Sequence, residues 1–348
     1  MDLFGMQNMT LTGRFLIRAV ALPGILAMAG WALAQNSPMA QGTPPGAGAQ
    51  GASGAGRGGR GGRGMAAPKK GVCPLPILPA LPADTDTAFY AKTEVPHGKV
   101  EAVTYKNHDG ADKRMQVYLP PDYDTAPGAR YPVLYLNHGG GGNDLDWTKV
   151  DQRQGGSANL ILDNLIASGK AKKMIVVMPD SSKCASATPS APGKDDACTQ
   201  EYLHDIIPYV DGHYRTKATR EGRALAGLSM GGFVVMHTGL PHLDTFSELY
   251  VYSSGHTSDA DLKTFEDNFQ ELLKDPNTND LFRVPYYMAA GETDIALKNG
   301  QKVMAIFNKN GIRNFWVMST GGHEWPNWRR YLDQTVQIMF PDCDSAAK

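Results

Sequence analysis

From Pro132 onward the chain is a succession of short apolar runs separated by helix-like stretches, and that alternation leaves few folds open. The runs are PVLYLN (132–137), KMIVVMP (173–179), ALAGLS (224–229), LYVYS (249–253), VPYYMAA (284–290) and FWVMS (315–319). Strands that are apolar at nearly every position are buried on both faces, as happens when helices cover both sides of a parallel sheet. Between the runs lie SANLILDNLIAS (157–168), stopped by Gly169, and EYLHDIIPYVDGHY (201–214). Two later stretches, Ile295–Lys309 ahead of Gly311 and Trp325–Phe340, have the same character. Upstream, Val100–Tyr105 and Met115–Leu119 are short, alternating and close together, which predicts an antiparallel opening to the sheet. The expected fold class is α/β: a mostly parallel central sheet with helices on both faces, forming a single domain over residues 73–345.

The residues before that domain have a different composition. Arg14 and Arg18 precede an apolar run that ends in Ala32-Leu33-Ala34, the small-x-small pattern of a signal-peptidase site. An uncleaved membrane anchor is the alternative, but the run is short for about 30 Å of hydrocarbon and contains Pro23 and Gly24. Residues 1–34 are therefore expected to be a signal peptide, the mature protein to be secreted or periplasmic, and no stable membrane insertion to remain. Residues 35–72 are Gly, Ala, Pro, Gln and Arg, with almost nothing to bury against chain entropy, and predict a flexible linker. Arg57, Arg60 and Arg63 form an RGG-like run that would suggest RNA in a cytoplasmic protein, but not behind an export signal. With 34 basic and 35 acidic residues, the chain has no charge excess that would call for nucleic acid as a partner.

The four cysteines, Cys73, Cys184, Cys198 and Cys343, are an even count that suits an oxidising compartment. Of three possible pairings, Cys184 with Cys198 would staple a polar loop, and Cys73 with Cys343 would tie the domain's ends together. A metal site is the alternative use, but no CxxC or clustered histidine spacing supports one.

The chemistry is expected where strands end. Gly227-Leu-Ser229-Met-Gly231 closes one predicted strand and opens a helix, which is the context that gives a G-x-S-x-G elbow its meaning. A serine hydroxyl needs a base. Of nine histidines, His323 in GGHEWPNW follows the last predicted strand and precedes the last helix. The histidine in turn needs an acid to fix its tautomer, and Asp294 in GETD follows the strand before. Glu292 in the same loop, and Asp259 or Asp261, are the alternatives. Asn137-His-Gly-Gly-Gly-Gly-Asn143 follows the third strand and would supply backbone donors for an oxyanion. The hole is assigned to the N–H groups of Met230 and Gly140. No Gly-Lys-Ser/Thr follows the glycines, so they do not read as a phosphate loop. Trp147 and Trp325, with Trp328, could stack on an aromatic acyl group or a sugar, or simply pack the domain.

Taken together, YPVLYLNHGGGGNDLDW, NLILDNLIASGKAKKMIVVMPD, RALAGLSMGGFVVMHTGL, GETD and GGHEWPNW resemble the secreted feruloyl and acetyl-xylan esterases of carbohydrate esterase family 1. The resemblance covers Val100 to Phe340. It implies an α/β-hydrolase fold and hydrolysis of carboxylic esters through an acyl-serine. Ser229 matches the family's nucleophile, Asp294 its acid and His323 its base. It implies a small-molecule or polysaccharide ester as substrate and no cofactor or metal. Enterochelin esterase-like enzymes and acyltransferases share the wider superfamily and are the alternatives, with a non-catalytic carbohydrate-binding protein further off. Where the family's specificity loops diverge most, this chain has its own insert, Ser181–Cys198, which points to no particular substrate.

Overall fold

A computed structural model describes residues 73–151, 153–191 and 193–343. The signal peptide and linker expected over residues 1–72 lie outside the described residues, apart from the linker's border at Cys73.

Eight strands form one sheet in the order β1-β2-β4-β3-β5-β6-β7-β8. β1 (Lys99–Lys106) and β2 (Asp112–Leu119) pair antiparallel, and β2 meets β4 (Ile175–Pro179) antiparallel as well. From β4 through β3 (Val133–Asn137), β5 (Arg223–Leu228), β6 (Glu248–Tyr252), β7 (Tyr286–Gly291) and β8 (Asn314–Ser319) every pairing is parallel. The six strands β3–β8 lie where the apolar runs predict them, and β1 and β2 where the two alternating stretches do.

The period of two sorts each strand's side chains between two cores. On one face Val133, Tyr135, Val177, Leu225, Val251 and Met288 meet residues of α2 (Ala197–Glu201), α3 (Ile207–His213), α4 (Met230–Val234) and α8 (Leu297–Lys309). On the other, Leu134, Leu136, Val176, Ala226 and Tyr252 meet α1 (Ala158–Ala167) and α9 (Trp325–Val336). The fold is an α/β-hydrolase-type sheet with helices on both faces.

Some details differ from expectation. The helix predicted at Glu201 begins at Ala197, capped by the Asp196 carboxylate, and a π turn over Tyr202–Ile206 joins α2 to α3. α9 ends at Val336 instead of Phe340, whose φ of 55° cannot continue a helix. Residues 259–281, for which the sequence pattern predicts no element, form three short helices, α5 (Asp259–Asn268), α6 (Gln270–Lys274) and α7 (Thr278–Leu281). Disulfides join Cys73 to Cys343 and Cys184 to Cys198, across 4.4 Å and 4.8 Å between Cα atoms.

β3 is the branch point of the sheet: the chain leaves it for β4 on one side and returns to β5 on the other. A crevice opens at the carboxyl ends of strands where the order reverses in this way. The glycine loop follows β3 and Ser229 follows β5, so both border that crevice.

Candidate active site

β5 ends at Leu228 and α4 begins at Met230, leaving Ser229 alone in the turn at φ 52°, ψ −117°. A side-chain-bearing residue held there costs on the order of 1–3 kcal/mol. Backbone bonds fix it: the Ser229 N–H donates to the Tyr252 carbonyl at 2.8 Å, and its carbonyl accepts from Gly232 N–H at 2.9 Å. The turn is tight enough to exclude side chains beside it. A Cβ on Gly227 would fall 2.2 Å from the Gly231 carbonyl oxygen, and one on Gly231 2.6 Å from that of His138.

The Ser229 hydroxyl lies 3.0 Å from His323 Nε2, and His323 Nδ1 lies 2.9 Å from Asp294 Oδ1. With Nδ1–H donating to the carboxylate, Nε2 is left to accept from the serine. Two loops are sewn together to bring this about. The amides of Glu292 and Thr293 donate to the carbonyls of Ser319 at 2.8 Å and Gly321 at 3.0 Å. The Glu324 carboxylate accepts from Gly322 N–H, and Asn327 donates to the Gly322 carbonyl, which braces the His323 loop from its far side. Trp328 presents its ring edge-on to the imidazole at 5.1 Å, while its indole N–H donates to Ser253 Oγ at 2.9 Å.

Asp294 is buried, and burial by itself would raise its carboxyl. Hydrogen bonds from His323, Ser253 and the Ala296 amide outweigh that and hold it below the ordinary carboxylate range. The other acids considered from sequence lie elsewhere. Glu292 points to solvent, Asp259 pairs with Lys302 at 2.6 Å, and Asp261 sits in the first turn of α5, bonded to Ser258.

On the opposite side of Ser229, Met230 is the first residue of α4, so its N–H has no helical acceptor. The glycine loop is held by His138, which is only 3% exposed. Its Nε2 accepts from Ser181 N–H at 3.1 Å, so the proton sits on Nδ1, which donates to the Gly139 carbonyl at 2.7 Å. Gly142 N–H donates to the same carbonyl at 3.2 Å. Across a trans peptide the next N–H points opposite to the carbonyl, so these two bonds turn the Gly140 N–H away from His138. Gly139 and Gly140 both lie against the serine turn, where an added Cβ would fall 3.3 Å from Ser229 Cβ and 2.9 Å from Met230 Cγ respectively.

The aromatic expectation needs correcting at Trp147. That residue is 1% exposed, its indole N–H donates to the Asn137 carbonyl at 3.0 Å, and it packs edge-to-face on Trp325 at 5.2 Å. Buried beneath the glycine loop, it has no face to offer a ligand. Trp325 is half-buried, edge-on to both Trp147 and Trp328. Two participants escaped the sequence reading. His138 heads the glycine run, and an imidazole directly before such a run was the available signal. Ser253, at φ 52° just past the end of β6 and bonded by the Trp328 indole, left none.

A family model described as putative esterase matches residues 107–339 of the chain. An endo-1,4-beta-xylanase/feruloyl esterase of Xylanibacter ruminicola is 33% identical over 268 residues, which is 73% of this chain and 33% of that protein. Esterase Rv1288 of Mycobacterium tuberculosis is 33% identical over 156 residues, 44% of this chain and 31% of that protein. The chain thus spans about a third of the length of these relatives. Among solved structures, the feruloyl esterase module from Clostridium thermocellum complexed with sinapinate superposes with a TM-score of 0.61 at 21% identity, covering 76% of this chain and 95% of the module. The CE1 ferulic acid esterase from Anaeromyces mucronatus gives 0.58 at 22% identity, covering 75% and 98%. At such identities the structural likeness speaks for the shared fold.

Proposed function

This chain belongs to the esterase family, and from that premise we propose that it is a secreted serine hydrolase that cleaves carboxylic esters on plant polysaccharide, feruloyl or acetyl groups being the acyl part. The observation that carries the reading is the hydrogen-bonded line from Ser229 through His323 to Asp294, beside a loop of glycine amides.

In the reaction we assign to it, His323 Nε2 takes the hydroxyl proton as Ser229 Oγ attacks the ester carbonyl. The carbonyl π electrons move onto oxygen, which the N–H groups of Met230 and Gly140 receive. Collapse of this intermediate breaks the bond to the alcohol, and the imidazolium at His323 returns its proton to that leaving oxygen. Water, deprotonated by the same nitrogen, then attacks the acyl-serine; the bond to Ser229 Oγ breaks, that oxygen takes the proton back from His323, and the acid is released. Asp294 stays ionised throughout and holds the imidazole in the tautomer that can accept. The feruloyl choice follows the feruloyl esterases of Xylanibacter, Clostridium and Anaeromyces to which the chain is similar. Export is supported by the apolar stretch ending at Ala34 and by the two disulfides. Among the described residues no helix is long and apolar enough to cross a membrane.

A fluorophosphonate probe should label Ser229 in the wild type and leave Ser229→Ala unlabelled. A panel of methyl ferulate, an aryl acetate, acetylated xylan and a siderophore ester then fixes the substrate. Turnover of the siderophore ester alone would overturn the polysaccharide assignment, and folded protein that neither labels nor turns over any ester would overturn the hydrolase.

A further inference from the structure

Arg330 lies in α9 with only 7% of its surface exposed, yet its guanidinium meets three uncharged acceptors and, among the described residues, pairs with no carboxylate. A buried charge is costly unless its surroundings offset the water it gives up, so a guanidinium held this way calls for a reason beyond the packing of α9. We propose that Arg330 is a positioning residue for His323: it fixes the Asn327 amide, and with it the loop that carries the imidazole. The inference rests on the hydrolase reading above and adds to it a group outside the triad and the glycine loop.

Arg330 Nε donates to the Pro82 carbonyl at 2.7 Å, while Nη1 donates to Asn327 Oδ1 at 3.0 Å and to Thr320 Oγ1 at 3.3 Å. Thr320 precedes His323 between β8 and α9, and Asn327 follows it in the first turn of α9. One nitrogen thus spans both stems of the loop that carries the base. Pro82 belongs to neither stem. It lies in the segment ahead of β1, which the Cys73–Cys343 disulfide and a bond from Gln334 to the Pro79 carbonyl tie to α9 and the residues after it.

A guanidinium carries donors only, so the atom of the Asn327 amide that faces it must be the oxygen. That leaves Nδ2 turned the other way, where it donates to the Gly322 carbonyl at 2.9 Å, beside His323 in the chain. With the guanidinium gone, nothing on that side holds the amide in this orientation, and turned over it would set an oxygen against the Gly322 carbonyl. Asn327 also stands where the acid and base loops meet. A Cβ on Gly291, at the end of β7 ahead of Asp294, would fall 2.9 Å from Asn327 Nδ2, and one on Gly321 would fall 3.0 Å from it. The backbones of both loops close on this one amide, and the 2.9 Å bond between His323 Nδ1 and Asp294 Oδ1 joins the same two loops. Rate is steep in position here, since a misplacement of about 1 Å can cost on the order of 10².

The test compares the full wild-type chain with Arg330→Met, Asn327→Ala and the double variant, each assayed well below its own melting temperature. Two quantities are read: kcat and KM for 4-nitrophenyl acetate, and the rate at which a fluorophosphonate labels Ser229. Arg330→Met is expected to lower kcat and the labelling rate about 10- to 100-fold with KM within about twofold, because the imidazole moves and the ester site does not. The double variant should fall no more than about twofold below the slower single one, since the guanidinium acts through that amide. Arg330→Lys keeps the charge but cannot reach Pro82 and Asn327 together. It is the milder variant should Arg330→Met not fold, and about three- to tenfold in kcat should be lost with a normal melt. Arg330 variants that match wild type per folded molecule overturn the proposal. So do a loss confined to KM and losses that multiply in the double variant. A wild type that neither labels nor turns over ester strikes the hydrolase reading itself, whereas an active wild type matched by its Arg330 variants strikes this inference alone.

Discussion

Two buried acids stand at opposite edges of the same sheet and have opposite fates. Asp294, beyond the carboxyl end of β7, accepts from His323 and the Ala296 amide and is held in its charged form. Glu248, the first residue of β6 at the amino edge, is wholly buried, and its carboxyl is pushed up to about 7. Burial is the leading influence on both, so burial alone does not decide. What differs is the partner. Asp294 has an imidazole that can become cationic during a reaction. Glu248 has only the Phe340 amide and the Tyr250 hydroxyl, with Arg283 and Lys172 contributing more weakly. One edge is arranged to keep a charge in place for chemistry, and the other ties down the segment that follows α9.

The comparison breaks first if substitutions at the carboxyl edge act on stability instead of rate. Ser229→Ala should lower kcat by about 10⁴–10⁶, with a melting temperature within a few degrees of wild type, as read by ester turnover beside a thermal melt. Asp294→Asn should cost about 10³–10⁴ in kcat, because the amide favours the tautomer in which Nε2 carries the proton. A kcat loss below tenfold would mean that Asp294 does not set that tautomer. His138→Leu should cost about 10–100 in kcat with KM little changed, since freeing the Gly139 carbonyl loosens one oxyanion donor without touching the ground-state substrate. A change confined to KM would place His138 in substrate binding instead.

These residues were not equally legible in the sequence. Ser229, Asp294 and His323 could be proposed because each follows a run whose apolar residues fix a strand, and strand ends fix where reacting groups gather. The sheet was legible for the same reason: double-sided burial writes itself into consecutive apolar positions. The helices over 259–281 were not, since α5 has one fully buried residue, Phe265, and no apolar stripe to announce it. Trp147 failed for a different reason. An aromatic residue after a glycine loop has the same sequence signature whether it faces a ligand or props the loop from below, and only its bond to the Asn137 carbonyl separates the two.

The smallest expected effect on rate lies at the amino edge, where the change is in stability and turns on sign. A carboxyl raised from 4.5 to about 7 binds a proton more tightly in the folded chain than in the unfolded one. Its contribution to stability is complete below about pH 4.5 and is lost as pH rises through about 7. Asp294 acts in the other direction: held low, it stabilises above the ordinary carboxylate range and fades as pH falls through its depressed value. Glu248→Gln keeps an oxygen to accept from the Phe340 amide but cannot ionise. The variant should match wild type near pH 4.5 and gain on it toward pH 8, by on the order of 2–3 kcal/mol, while turnover of a small ester stays within twofold. Chemical denaturation across that range reads the difference directly. A gap that is constant with pH would mean that Glu248 titrates alike in both states, and the contrast between the two edges would then rest on Asp294 alone.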